Sequence, residues 1–413
     1  MPVEEVTMGT EFLKIKEVGE AKKIIKDLFN EYSPEQEKIN IENSYGRVIS
    51  EDIMSSIDLP LFDRSLMDGF AVKAKDTFGA SDESPKKLKC IDSIEAGSYS
   101  AKTIEDGECI EISTGAPLPK GSNAIAMIEF SERQGDDVYI LKSVAPNQDL
   151  ALKGSDINKN KLLLEKNTFL SPDKIGVLAA QGIKELNVFK KPKIAVISTG
   201  NELVREDEEL DYGKIYDTNT HSIRNATIAC GADAIAKGIV KDNYLELKLR
   251  IEESLKDSDI LICSGGTSAG VGDILRHVMD EMGEVIIHGV SVKPGKPTIV
   301  GLIDEKIIIG LPGNPVSALI IFYVFIAPNI RKLSGLKEVE TSKIVKAKIS
   351  KRIHSPKGRM EYALVQIKDD LAIPILKDSG AIASLAHADG YVKIPKTTEL
   401  LDEGEEVKVA LFR

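Results

Sequence analysis

The chain has 413 residues, a hydrophobic fraction of 42% and a formal net charge of −11. At roughly 150 residues per domain, that length predicts two to four domains with ordinary globular cores. The acidic balance and the lack of a long basic run argue against a broad nucleic-acid surface, while leaving room for a locally basic pocket. The cysteines Cys90, Cys109, Cys230 and Cys263 form no CxxC pair. They predict neither a zinc site nor a disulfide framework, but reduced, mostly buried thiols of a cytoplasmic protein. The Met-Pro-Val-Glu-Glu start carries no basic segment ahead of an apolar one, so no signal peptide is expected. The longest apolar stretch, about Val316 to Ala327, is broken by Ser317 and reads as too short to span a bilayer.

Taken in chain order, Val18, Ala21, Ile24, Ile25, Leu28 and Phe29 share one face of an amphipathic helix that ends near Ser33-Pro34. Gly46-Arg47-Val48 leads into an expected strand. Residues 60 to about 150 hold short apolar runs, such as Gly69–Val72 and Ala124–Glu129, between turn signals at Ala96-Gly97, Asp106-Gly107 and Gly135-Asp136. That is the pattern of a small β-rich domain. Helical character returns over 151–190, with a glycine stop at Gly182. A β domain inserted into a helical one accounts for both segments. From Lys193, short apolar strands run into glycines: Lys193–Gly200, Asp259–Gly266, Val285–Gly289 and Ile307–Gly313. Helical stretches lie between them, around 222–230, 245–255 and 274–282. This alternation implies a parallel sheet covered on both faces, with ligands beyond the carboxyl ends of its strands. After about Leu336, four short strands read as a small β barrel or sandwich.

The polar residues concentrate at those strand ends. Ser264-Gly265-Gly266-Thr267-Ser268-Ala269-Gly270-Val271-Gly272-Asp273 lies between a strand and a helix. Its glycines let backbone N–H groups turn inward beside a helix N-terminus, which suits a phosphate or similar oxyanion. Asp273 stands where an N-cap would, so capping and cation binding are both open. Leu311-Pro312-Gly313-Asn314-Pro315-Val316-Ser317 is a second strand-to-helix turn, stiffened by two prolines. Lys293-Pro294-Gly295-Lys296-Pro297 is either a solvated basic turn or an anion clamp. Glu202, near the end of the Lys193 strand, is either a cap or a ligand for a metal or hydroxyl. Asp217 and Asn219 follow in a polar turn. Asp63, Arg64 and Asp68 sit among apolar residues at the entry to the β domain, and Ser113-Thr114-Gly115 forms another polar turn there. There is no Ser-His-Asp signature, P-loop, GxGxxG or HExxH.

Nine segments in order carry a resemblance: FDRSLMDGFAV (62–72), STGAPLP (113–119), KGSDI (153–157), STGNEL (198–203), IYDTN (215–219), SGGTSAGVGD (264–273), HGVSVKPGKP (288–297), LPGNPVSA (311–318) and SLAHADG (384–390). Together they resemble the MoeA family of molybdopterin molybdenumtransferases, which includes the gephyrin E domain. The resemblance implies a multidomain α/β plus β fold. An elongated domain split over 1–58 and 151–190 would receive an inserted β-rich domain over 59–150. A three-layer α/β molybdopterin-binding domain over 191–335 and a C-terminal β barrel over 336–413 would follow. It also implies a cytoplasmic homodimer whose cleft is built from both subunits, with Asp63 and Thr114 of one chain facing Asp273 and Lys296 of the other.

The implied reaction starts from adenylylated molybdopterin. Molybdate or tungstate joins the dithiolene, the phosphoanhydride is cleaved, and AMP leaves with Mg2+ involved. A molybdopterin adenylyltransferase is an implied further partner; nucleic acid and membrane are not expected. Carried over residue by residue, the catalytic set is Asp63, Thr114, Asp156, Glu202, Asp273, Lys293 and Lys296. Glu202 and Asp273 are its expected metal ligands. The expected substrate contacts are Asp68, Asp217, Asn219, Ser264, Gly265, Gly266, Thr267, Ser268, Pro312, Gly313, Asn314, Ser317, Arg359 and Ser384. The chain departs mildly from the pattern at Leu66, Phe70 and Thr267–Ala269, and it lacks a lysine that some relatives carry near Gly289. A non-catalytic scaffold of the gephyrin type is the alternative. A nucleotide-binding hydrolase is disfavoured by the 62–72 and 113–119 segments, which lie outside the α/β block.

Overall fold

A computed structural model describes residues 15–265, 274–336, 343–376 and 380–412. It divides into two compact units. One comprises the chain up to Glu51, Asn167–Ile175 and everything from Lys184; the other comprises Asp52–Lys166 and Gly176–Ile183.

The first unit is organised by a six-stranded sheet in the order Asp233–Val240, Lys193–Thr199, Ile260–Ser264, Lys306–Leu311, Ile299–Ile303, Glu284–His288. The first four strands are parallel. Ile299–Ile303 runs antiparallel to both neighbours, so the sheet is mixed rather than wholly parallel. The cause is local: Asp304 and Glu305 have φ of 48° and 64°. A two-residue turn of that hand joins adjacent antiparallel strands, which a parallel crossover cannot. Ile299–Ile303 and Asp233–Val240 both exceed what the apolar pattern predicts. The second is a half-exposed edge strand whose pairing shifts register around Gly238, so its apolar signal is diluted.

Strand alternation sends Ile194, Val196, Ile260 and Ile262 into one core and Ala195, Ile197, Leu261 and Cys263 into the other. The helices Tyr244–Leu255 and Ile274–Met282 cover the second face. The first is covered by the helices Asn219–Ala229 and Val18–Asn30 and by a long run from Pro315. The buried residues of Val18–Asn30 are Val18, Ala21, Ile25 and Phe29, as its spacing predicts. The last run is continuously helical over Pro315–Leu333, longer than the apolar stretch legible in the sequence. By length and composition it could cross a membrane, yet 67% of it is buried inside the fold, where it serves as a core helix. Its π-helical segment Phe322–Ile326 precedes Pro328, whose missing N–H breaks the regular ladder. In the N-terminal part, Gln36–Asn40 pairs with Glu185–Phe189. Val48 and Ile49 make only isolated bridges, to Phe169 and Val188, where a strand is expected.

The C-terminal part is a closed five-stranded barrel. Met360–Lys368, Leu371–Pro374, Ile344–Ile349, Glu406–Leu411 and Gly390–Ile394 pair in turn, and the last returns to the first. Val292–Lys293 adds to Met360–Glu361 as a parallel edge, which sets Lys293 beside Glu361.

The second unit is a six-stranded sheet in the order Ala124–Met127, Gly69–Val72, Glu108–Ile112, Lys86–Ile94, Asp137–Ile140, Ser131–Gln134. Cys90 and Cys109, distant in sequence, are register partners on its parallel pair. All four thiols are free and buried. Burial pushes Cys230 up to about 11 and Cys263 up to about 12, and holds Cys109 far above the ordinary thiol range. These three therefore stay protonated at pH 8. Iodoacetamide is expected to label them slowly in the native protein and rapidly in denaturant; fast native labelling of Cys263 would contradict this packing.

Candidate functional site

The parallel register brings three strand ends level, with Ser198 beside Ser264 and Ser264 beside Leu311. Beyond them opens a cleft of about 760 Å³, lined by Glu202, Asp217, Asn219, Ser264, Gly265, Pro312, Gly313 and Asn314 of the expected set. That volume lies within the usual range for a small-molecule site. Gly265 is where two strand ends meet. Its φ is +97°, and a Cβ there would lie 2.2 Å from the Thr199 carbonyl oxygen. Gly265→Ala is expected to cost about 1–3 kcal/mol, since both the left-handed backbone and a backbone contact oppose it. Gly313, whose added Cβ would meet nothing closer than 3.7 Å, is the control. Equal denaturant midpoints for the two alanine variants would refute this account.

A short polar network holds the cleft floor. Asn219 Nδ2 donates to Ser264 Oγ (2.8 Å) and to the Gly313 carbonyl (2.7 Å), tying two strand-end loops together. Ser264 Oγ donates to the Pro312 carbonyl at 3.3 Å. Asp217 Oδ1 accepts from Ser198 Oγ (2.8 Å) and from Thr220 N–H (3.1 Å), so that oxygen serves the helix start at Asn219. Thr199 Oγ1 and Asn219 Oδ1 are buried with no hydrogen-bond partner among the described residues. Buried polar atoms are normally satisfied, so these two stand out at the cleft floor. Glu202 is exposed, and so is Asp242, which also lines the cleft. Asp242 was not anticipated. It follows the Asp233–Val240 strand, and that strand is not legible as one.

A second cleft, about 850 Å³, shares Pro297, Pro312 and Asn314 with the first. Lys293, Lys296, Arg359, Ser317 and Ser384 line it. Gly295 lets the Lys293–Pro297 turn approach the helix from Pro315, because a Cβ there would sit 2.4 Å from Ile321 Cγ1. Lys293 Nζ pairs with Glu361 Oε1 at 2.9 Å. Lys296 and Arg359 have no carboxylate partner among the described residues. Ser384 Oγ, Glu361 Oε2 and Tyr362 OH are buried without a hydrogen-bond partner among the described residues. Three cations beside buried hydroxyls have the chemistry that suits a tetrahedral oxyanion.

Of the eight remaining expected residues, four belong to the second unit. Asp68 Oδ1 accepts from Thr114 N–H (2.6 Å) and Thr114 Oγ1 (2.9 Å). These bonds, the backbone one foremost, hold the Asp68 carboxyl below its ordinary range. Asp63 Oδ1 accepts from Lys153 N–H at 2.7 Å. Asp156 is exposed. Around Asp63 and Asp68 the large apolar side chains Leu61, Phe62, Leu66 and Met67 are 41–52% exposed. Gly266, Thr267, Ser268 and Asp273 lie outside the described residues.

The model of the MoeA N-terminal region (domains I and II) matches residues 16–182. That of a "Probable molybdopterin binding domain" matches 195–332, and that of the MoeA C-terminal region (domain IV) matches 346–412. The chain belongs to the MoeA family. It is 32% identical to a molybdopterin molybdenumtransferase of Nostoc over 383 residues, 90% of this chain and 88% of that one. A molybdopterin molybdenumtransferase of Staphylococcus aureus is also 32% identical, over 90% of each chain. Two solved molybdopterin biosynthesis MoeA proteins from Pyrococcus horikoshii superpose with TM-scores of 0.83 and 0.80, at 40% and 32% identity. They cover 97% and 96% of this chain and 100% of theirs. MoeA membership places the chain in molybdenum cofactor biosynthesis.

A divalent cation fits the first cleft in one manner. Among the described residues no group of three or more His, Cys, Asp or Glu side chains could hold a metal ion. Mg2+ does not require such a cage, since one or two carboxylates beside substrate phosphates suffice. The exposed Glu202 and Asp242 both line the cleft and are of the residue type such a site uses.

Proposed function

We propose that this MoeA protein is a transferase that inserts molybdate, or tungstate, into adenylylated molybdopterin as the last step of cofactor assembly. The observation that carries the proposal is the pair of clefts with a common wall at Pro297, Pro312 and Asn314: one polar and glycine-lined, the other cationic. The pterin phosphate and AMP moieties occupy the first, against the Ser264–Gly265 and Pro312–Asn314 turns and the unsatisfied Thr199 and Asn219 atoms. The oxyanion occupies the second, with Lys293, Lys296 and Arg359 offsetting its charge and Ser317 and Ser384 directing hydroxyls toward it. Glu202 and Asp242, with the sequence-expected Asp273, would hold Mg2+, which when bound would supply charge neutralisation for phosphoanhydride cleavage. The two dithiolene sulfurs bind the metal of the oxyanion as one of its oxygens leaves as water with the two thiol protons, and a second water hydrolyses the phosphoanhydride, so that AMP leaves and a phosphate stays on the pterin.

The reading extends to assembly. A homodimer would bring Asp63, Asp68, Thr114 and Asp156 of one subunit to the clefts of the other. The apolar surround of Asp63 and Asp68 supports this, because exposed side chains of that size normally find a cover. A four-domain division at 58/59, 150/151, 190/191 and 335/336 goes with it, as does docking of a molybdopterin adenylyltransferase that hands over the substrate.

The test is to incubate purified protein with adenylylated molybdopterin, Mg2+ and either molybdate or tungstate, following AMP release and reconstitution of an apo-molybdoenzyme. Oxyanion-dependent AMP release with an active product is the expected result. Binding of the pterin nucleotide without turnover would instead indicate a scaffold.

A further inference from the structure

Within the cationic cleft one group has the wrong sign. Glu361 is only 9% exposed, and among the described residues lining that cleft it is the single acid. Oε1 is held by Lys293 at 2.9 Å, while Oε2 is buried and has no hydrogen-bond partner among the described residues. An unsatisfied carboxylate oxygen out of water is costly, and an anion is a poor neighbour for an oxyanion substrate. A glutamine would fill the same volume without the negative charge. The placement has a definite origin: the parallel pairing of Val292–Lys293 with Met360–Glu361 sets the two residues side by side. Counting the Lys, Arg, Asp and Glu side chains of the described lining residues, Lys293, Lys296 and Arg359 against Glu361 leave two net positive charges, the complement of a dianion such as molybdate.

We propose that Glu361 is a positioning residue that holds Lys293 Nζ at the cleft wall and sets the cleft's net charge to that of its dianionic substrate. The proposal rests on reading the second cleft as the oxyanion site. Removing the Glu361 charge strengthens ground-state binding of any tetrahedral oxyanion and frees Lys293 to move. Tighter substrate binding without matching transition-state stabilisation lowers turnover. Glu361 thus limits ground-state capture of any tetrahedral dianion, a repulsive element in a site otherwise built from attraction. A merely structural ion pair between neighbouring strands behaves differently. Its loss would weaken the local fold and, with it, oxyanion binding.

The experiment compares wild type, Glu361→Gln and Glu361→Asp. Sodium tungstate, molybdate and sulfate are titrated calorimetrically into each, molybdate-dependent turnover is measured, and thermal unfolding serves as the folding control. Glu361→Gln is expected to bind all three oxyanions about tenfold more tightly, one charge at close range being sufficient for that, while kcat falls about tenfold. Glu361→Asp keeps the charge but shortens the reach. It should bind oxyanions like wild type and still lose kcat, which separates charge from position. Unchanged or weaker oxyanion binding by a folded Glu361→Gln overturns the proposal. Where that variant does not fold, wild-type kcat in Glu361→Asp overturns it. If the wild type binds no oxyanion at all, the reading of the cleft fails first and this inference fails with it; wild-type binding with no change in the variants sinks the inference alone.

Discussion

Arg359→Ala is expected to lower oxyanion-dependent AMP release by about 10²- to 10³-fold, the range typical for removing one preorganised charge stabiliser from a reaction centre. Arg359 is exposed at the cleft and has no carboxylate partner among the described residues. Its removal therefore leaves no buried charge unpaired, and stability should hardly change, as for an ordinary surface substitution. The guanidinium presents a planar fork that can engage two oxyanion oxygens together, whereas lysine offers one compact charge. Arg359→Lys should accordingly recover only part of the loss. The measurement is kcat and KM for molybdate at saturating pterin nucleotide, with a denaturation curve as control. Wild-type kcat/KM in Arg359→Ala would remove Arg359 from the reaction and with it much of the case for the second cleft.

The second large effect tests the composite site. Asp63→Ala and Lys293→Ala are each expected to be nearly inactive, one altered in the second unit and the other at the cationic cleft. A dimer assembled from one subunit of each kind, isolated with two different affinity tags, then has one cleft carrying both lesions and one carrying neither. It is expected to recover about half the wild-type activity, because a two-fold dimer has two equivalent sites. If Asp63 acts within its own chain, each cleft of the mixed dimer keeps one lesion and no activity returns. The first result supports an oxyanion cleft completed across the interface. The second would leave the exposed Leu61, Phe62, Leu66 and Met67 without that explanation.

The sequence pattern anticipates much of the cleft lining, and the reason is physical. In the α/β unit, strands buried on both faces are continuous apolar runs, and the polar residues that line the clefts crowd where each run stops. Glu202, Ser264, Pro312 and Lys293 could therefore be located from where hydrophobicity ends. Asp242 shows the limit of that logic: its strand is at the edge, half exposed and irregular in register, so no run announces it. Glu361 shows another limit. It lies within a barrel strand, at a position indistinguishable in sequence from other polar residues of that strand, and only the parallel pairing with Val292–Lys293 gives it a role. The juxtaposition of Cys90 and Cys109 was hidden for the same reason.

By itself, the sequence determined the apolar periodicities, the glycine- and proline-rich strand ends and the family, because these are properties of short segments and of their order. It also determined that Asp217 and Asn219 stand at a polar turn after a strand. Tertiary structure alone decided that Asp217 Oδ1 is consumed by Ser198 and Thr220, that Asn219 bridges two loops, and that Lys293 shares its cleft with a buried acid. Strand register and side-chain burial depend on partners far away in the chain, and those partners set which polar atoms are satisfied and which are left for a ligand.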